Sequence, residues 1–136
     1  IEVAALLAEQ EPCVYVIDCL PNMNETTVAD RTIPFVKKLR ETHKKTPILL
    51  VEDRSFTNTS FFPNRKSRHQ KSRAALKKSY TELINAGLGN LYYLDGDHLL
   101  GHDGEAATDG SHPSDLGMLR YANAYEPVLR SILKQF

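Results

Sequence analysis

Three short apolar runs constrain this chain more than anything else in it: Cys13 to Cys19 (CVYVIDC), Ile48 to Val51 (ILLV) and Leu91 to Leu94 (LYYL). Each is nearly continuous in apolar residues rather than alternating, the pattern of parallel strands covered on both faces. The stretches between them carry helical spacing. Val28 to Lys45 presents Val28, Ile33, Val36 and Leu39, with Pro34 expected in a first turn. Ser67 to Ala86 presents Leu76, Tyr80, Leu83 and Ile84 and stops at Gly87, and Ser114 to Gln135 continues through Leu116, Leu119, Leu129 and Leu133. Pro127 should kink or divide that last helix. Residues Ile1 to Ala8 are also helix-like. Strand and helix in alternation imply right-handed βαβ units, hence an α/β fold with an open parallel sheet in three αβα layers. Three strands are few for such a sheet. The expectation is one α/β domain fragment over residues 1–136, cut within an earlier crossover.

Composition narrows the function classes. Lys plus Arg and Asp plus Glu both number 17, so the formal charge is zero and no global field draws the protein to nucleic acid or anionic membrane. No apolar run approaches the ~18 residues of a membrane-spanning helix. The start, with no Met, no basic segment and Glu2, is not that of a signal peptide. Cys13 and Cys19, six residues apart along one expected strand, would lie roughly 20 Å apart and cannot form a disulfide, so both are expected as buried thiols. Cysteine use leaves the compartment open, with periplasm or secretion preferred over cytoplasm. Asn24-Glu25-Thr26 and Asn58-Thr59-Ser60 match a glycosylation sequon, a pattern short enough to recur by chance.

In open α/β sheets ligands bind beyond the carboxyl ends of the strands, so the segments after the apolar runs matter most. They are Asp18 to Asn24, Glu52-Asp53-Arg54, and the polar loop ending Thr108-Asp109-Gly110-Ser111-His112-Pro113-Ser114-Asp115-Leu116-Gly117. In the last, Asp109 and His112 are separated by two small residues ahead of a helix start. One tight turn can fold that carboxylate onto the imidazole, fixing the tautomer and leaving the other ring nitrogen free to take a proton. The plainer alternative is a capping aspartate beside a surface histidine.

Asp109-Gly110-Ser111-His112-Pro113 with Gly117 resembles the final block of the SGNH, or GDSL-like, hydrolase superfamily of esterases and acylhydrolases. Val16-Ile17-Asp18-Cys19-Leu20-Pro21-Asn22-Met23 resembles the block that supplies that family's oxyanion-hole asparagine. The resemblance covers essentially the whole chain. It implies a flavodoxin-like sheet with two further strands ahead of residue 1. It also implies His112 as general base, Asp109 as the group that orients it, and Asn22 as oxyanion donor. The substrate class it implies is small esters with short acyl groups, acylated carbohydrates among them, with no cofactor. The family's nucleophilic serine block is absent from these residues, as is any G-x-S-x-G elbow. Ser111, a neighbour on the same turn, is a poor substitute, so this chain alone is expected to be inactive.

Other clusters have plainer readings. Asn64 to Arg73 is basic but lacks interleaved aromatics and reads as a solvated approach and helix face, with Arg65 or Arg68 as candidate cleft residues. Asp95, Asp97, His98, His102 and Asp103 do not match a calcium loop or H-E-x-x-H, so no metal is expected. His43 and His69 read as solvent residues. Two functions compete: a serine-type esterase, and a non-catalytic α/β module that binds a ligand or partner at the strand ends. An uncovered edge of the first strand would favour a dimer or strand swap.

Overall fold

In a computed structural model, residues 2–135 are described and the expected αβα layering is present. Helix α1 (Glu2–Leu7) precedes strand β1 (Tyr15–Ile17), a 3-10 turn (Leu20–Asn22), α2 (Glu25–Thr42), β2 (Ile48–Val51), α3 (Pro63–Asn85), β3 (Leu91–Leu94) and α4 (Asp115–Leu133). The strands form one parallel sheet in the order β1-β2-β3, with Tyr15 opposite Ile48 and Ile48 opposite Leu91. The expected helix at residues 1–8 is present as α1, although Ile1 lies outside the described residues.

Strand parity divides the core. Tyr15, Ile48, Leu50 and Leu91 face one way, into Val28, Val36 and Leu39 of α2 and Leu76 and Leu83 of α3. Leu49 and Val51 face the other way with Tyr92 and Leu94, under Tyr121, Tyr125, Val128 and Ile132 of α4. All four residues of β2 are buried, each such side chain contributing roughly 1.5 to 3 kcal/mol on leaving water. The central strand is therefore covered on both faces, and its carboxyl end is fixed relative to everything around it.

Several local expectations are corrected. The first strand is three residues rather than seven, because only Tyr15, Val16 and Ile17 pair with β2 before the chain enters the 3-10 turn. Cys13 and Cys19 consequently lie outside β1 and are exposed, not buried. Helix α2 starts earlier than Val28, where the Asn24 side chain accepts from the Thr27 amide at 2.9 Å. Pro34 thus falls in the helix interior, on its exposed side, where water can serve the carbonyl it leaves without a donor. Pro127 likewise lies inside α4 without dividing it, again at an exposed position. The approach before Ser67 is already helical, since Pro63 occupies a first-turn position where its missing N–H costs nothing.

The two histidines assigned to solvent are buried. His43 ends α2 with its Nε2 2.9 Å from the Ala8 carbonyl and its ring edge-on to Tyr15. His69 is 4% exposed and packs edge-on against Phe56. Helical periodicity reveals which face a residue occupies only once the neighbouring element is known. In both cases that neighbour is distant in sequence or irregular.

Candidate active site

Residues Ala106 to Ser114 form a small closed loop at the carboxyl end of the sheet. Ala107 and Pro113 form an antiparallel bridge, the Thr108 amide donates to the His112 carbonyl at 3.0 Å, and the Ser114 amide donates to the Ala106 carbonyl at 3.0 Å. Ser114 then caps α4, accepting from the Gly117 amide at 3.3 Å. Gly117 is required for closeness: a Cβ there would stand 2.2 Å from the Ala106 carbonyl oxygen. Gly110, at φ +89°, turns the tip of the loop, where a Cβ would meet the Asn58 side-chain amide at 2.1 Å.

At that tip the Asp109 carboxylate and the His112 ring meet. Asp109 Oδ2 lies 2.7 Å from His112 Nδ1. Asp109 Oδ1 accepts from the backbone amides of His112 at 2.8 Å and Ser111 at 2.9 Å. The His112 amide, the His112 ring and the Ser111 amide together hold the Asp109 carboxyl well below the usual carboxylate range. The carboxylate is thus a fixed anion on one ring nitrogen, and Nε2 has no hydrogen-bond partner among the described residues. Both side chains are open to solvent, 56% for Asp109 and 76% for His112.

Asn22 closes the 3-10 turn beyond β1, exposed, with no hydrogen bond from its side-chain amide to any described residue. Helix α3 ties this turn to the Asp109 loop. Arg65 donates to the Asp109 carbonyl at 3.3 Å, and Arg68, three residues on, donates to the Pro21 carbonyl at 2.9 Å. Ser72 adds a bond to the Met23 carbonyl at 3.3 Å. The basic segment named as a possible cleft wall therefore binds the backbone of both loops.

The acidic cluster after β3 is engaged elsewhere. Arg73 spans Asp97, the Ser55 hydroxyl and the Asp53 carbonyl, while Arg120 pairs with Asp103. His98 Nδ1 and His102 Nε2 lie 3.0 Å apart. Among the described residues no group of three or more His, Cys, Asp or Glu side chains is arranged to hold a metal ion, and no helix is long and apolar enough to cross a membrane.

Three buried polar residues stand here without a role assigned from the sequence: Asp53 and Arg54, singled out only by their place after β2, and His69 of α3, which was expected in solvent. Asp53 is 1% exposed, its Oδ1 unpartnered among the described residues, and burial pushes its carboxyl up to about 6 against the opposing pull of Arg54, Arg73 and Arg68. Burial, aided by Arg73, pushes the His69 imidazole down to about 4. Arg54, also buried, donates to the Ser111 carbonyl and to its hydroxyl. For Asp53 and Arg54 the signal available was position, directly after the most apolar run; His69 carried none.

The sequence profile of the GDSL-like lipase/acylhydrolase family matches residues 1–130. The chain belongs to that family. A solved structure from Bacteroides ovatus, described as a GDSL-like lipase, superposes with a TM-score of 0.94 at 33% identity, over 98% of this chain and 40% of its own. A salicylyl-acyltransferase from a tetracycline biosynthetic pathway shares the fold at a TM-score of 0.77 and 19% identity, over 96% of this chain and 40% of its own. An acylhydrolase-like protein from Bacteroides fragilis does so at 0.55 and 18%, over 90% of this chain and 63% of its own. No curated protein matches the sequence. The GDSL-like chain spans 40% of the length of the first two of these structures, and its open parallel sheet is of the flavodoxin-like α/β kind.

Proposed function

We propose that this chain supplies the acid, the base and one oxyanion donor of a serine-type hydrolase acting on short acyl esters, acylated carbohydrates among them. The observation that carries the proposal is the 2.7 Å contact of Asp109 Oδ2 with His112 Nδ1, with Nε2 unpartnered among the described residues. A neutral imidazole with its proton on Nδ1 accepts a serine hydroxyl proton at Nε2. The fixed Asp109 anion stabilises the imidazolium, and the ring then returns that proton to the leaving alcohol. The exposed Asn22 amide donates to the oxygen that becomes negative as the carbonyl turns tetrahedral. Water repeats the sequence to release the acid.

No Gly-Asp-Ser-like block occurs among these 136 residues, so the nucleophile is proposed to come from outside them. A second copy of the chain is the proposed partner at the β1 edge. The test is p-nitrophenyl acetate hydrolysis by the protein carrying its upstream reading frame. His112→Ala should lower kcat by about 10² to 10⁴-fold, and Asn22→Ala by about 10² to 10³-fold. A rate indifferent to His112→Ala would overturn the assignment of the base. Hydrolysis by the 136-residue chain alone, abolished by His112→Ala, would overturn the external nucleophile.

A further inference from the structure

We propose that Arg54 is a positioning residue for the Asp109–His112 pair, acting through the backbone of the turn between them; the inference rests on the hydrolase reading of that pair. The pair is exposed, so packing does not orient its side chains, and an exposed carboxylate–imidazole contact is weak by itself. Order must come from the backbone beneath. The turn's amides point inward: those of Ser111 and His112 both donate to Asp109 Oδ1. Its carbonyls point outward, and three in succession accept from the segment that follows β2. The Asp109 carbonyl accepts from Asn58 at 3.2 Å and Arg65 at 3.3 Å, and the Gly110 carbonyl from the Thr57 amide at 2.9 Å. The Ser111 carbonyl accepts from Arg54 Nε at 2.5 Å, while Arg54 Nη2 donates to the Ser111 hydroxyl at 2.9 Å.

Arg54 is the strongest of these anchors. The Asn58 and Arg65 bonds are long and solvent-exposed. Arg54 is 8% exposed, and its charged guanidinium is forked onto two oxygens of one residue, the geometry in which arginine cannot be replaced by lysine without loss. It is itself held. It projects from the carboxyl end of the fully covered strand, sits 5.8 Å from the Phe56 ring centroid, and lies next to the buried Asp53 carboxylate. Rigidity of the central strand is thereby passed to Ser111, the residue between the acid's turn and the base. The same grip turns the Ser111 hydroxyl into an acceptor for Arg54, which suits a scaffold role rather than that of a nucleophile.

The test reads the histidine directly. In long-range ¹H–¹⁵N spectra of the 136-residue chain at pH 8, wild-type His112 should be predominantly the Nδ1–H tautomer, whereas a free imidazole prefers Nε2–H. Arg54→Met should lower the Nδ1–H to Nε2–H ratio at least threefold, with Arg54→Lys in between. Arg40→Met, which removes a guanidinium from the opposite end of the sheet, should leave the ratio unchanged even where it lowers Tm. If Arg54→Met does not fold, Ser111→Ala, which deletes only the hydroxyl acceptor, should still lower the ratio. A folded Arg54→Met or Ser111→Ala protein with the wild-type ratio overturns the positioning role alone. A wild-type protein dominated by Nε2–H overturns the Asp109–His112 pair itself.

Discussion

Gly117→Ala sets two well-known effects of opposite sign against each other. Alanine is the better helix former, and within a helix the exchange is worth up to about 1 kcal/mol in its favour. Gly117 lies in the first turn of α4, buried, and its missing side chain is what lets that turn sit on the Asp109 loop. An alanine Cβ would stand 2.2 Å from the Ala106 carbonyl oxygen and 2.8 Å from Pro113 Cβ. Ordinary contact needs roughly 1 Å more, and the obstacle is backbone that already accepts the Ser114 amide, so no side-chain rotation relieves it. Overpacking of this kind costs about 1 to 3 kcal/mol. Sterics should therefore win, with net destabilisation of about 1 to 2 kcal/mol, which for a domain of this size lowers Tm by roughly 3 to 8 °C. Thermal unfolding followed by circular dichroism measures this, with Gly89→Ala as control, since nothing lies within 4 Å of a Cβ at that position. A Gly117→Ala Tm equal to or above wild type would refute the close-approach argument.

Asp53 makes stability depend on pH. Its folded carboxyl is raised to about 6 by burial, so the folded state holds its proton more tightly than the unfolded state does. The favourable contribution is complete below about pH 4 and is lost as pH rises through about 6, a change of at most roughly 3 kcal/mol. Lowered His69 acts in the opposite direction, losing stability as pH falls from about 6.5 to about 4, so only a difference isolates Asp53. The stability of Asp53→Asn minus that of wild type, from urea titrations, should rise between pH 4 and pH 7.5; a flat difference would refute the burial argument. The β1 edge is unpaired on one side among the described residues, and an apolar groove of about 400 Å³ runs beside it past Val16, Leu20 and Phe35. The 136-residue chain should therefore self-associate at micromolar concentration by light scattering, and Val16→Lys should shift it toward monomer. Monodisperse monomer for the unaltered chain would contradict this.

Much of the fold could be read directly. ILLV and LYYL bounded β2 and β3 to the residue, because parallel strands that carry helices over both faces leave near-continuous apolar runs, fully buried in β2 and partly buried in β3. The first strand was overestimated because apolar content continues beyond the paired residues, and only pairing with β2 sets where the ladder ends. The Asp109–His112 contact was also legible, since three residues of chain suffice to bring the groups together. The buried polar residues were not. Asp53, Arg54 and His69 look like ordinary surface residues in one dimension, and their burial depends on the Asp109 loop and Phe56 folding over them.

Sequence by itself determined the local geometry: strand length where both faces are covered, and the turn that puts a carboxylate on an imidazole. These rest on interactions a few residues apart. The tertiary structure alone decided that Arg54 clamps Ser111 from 57 positions away, and that Arg65 and Arg68 fasten the Asp109 and Asn22 loops to one helix. Such bonds depend on the relative placement of strands and helices, which no local pattern of residues encodes.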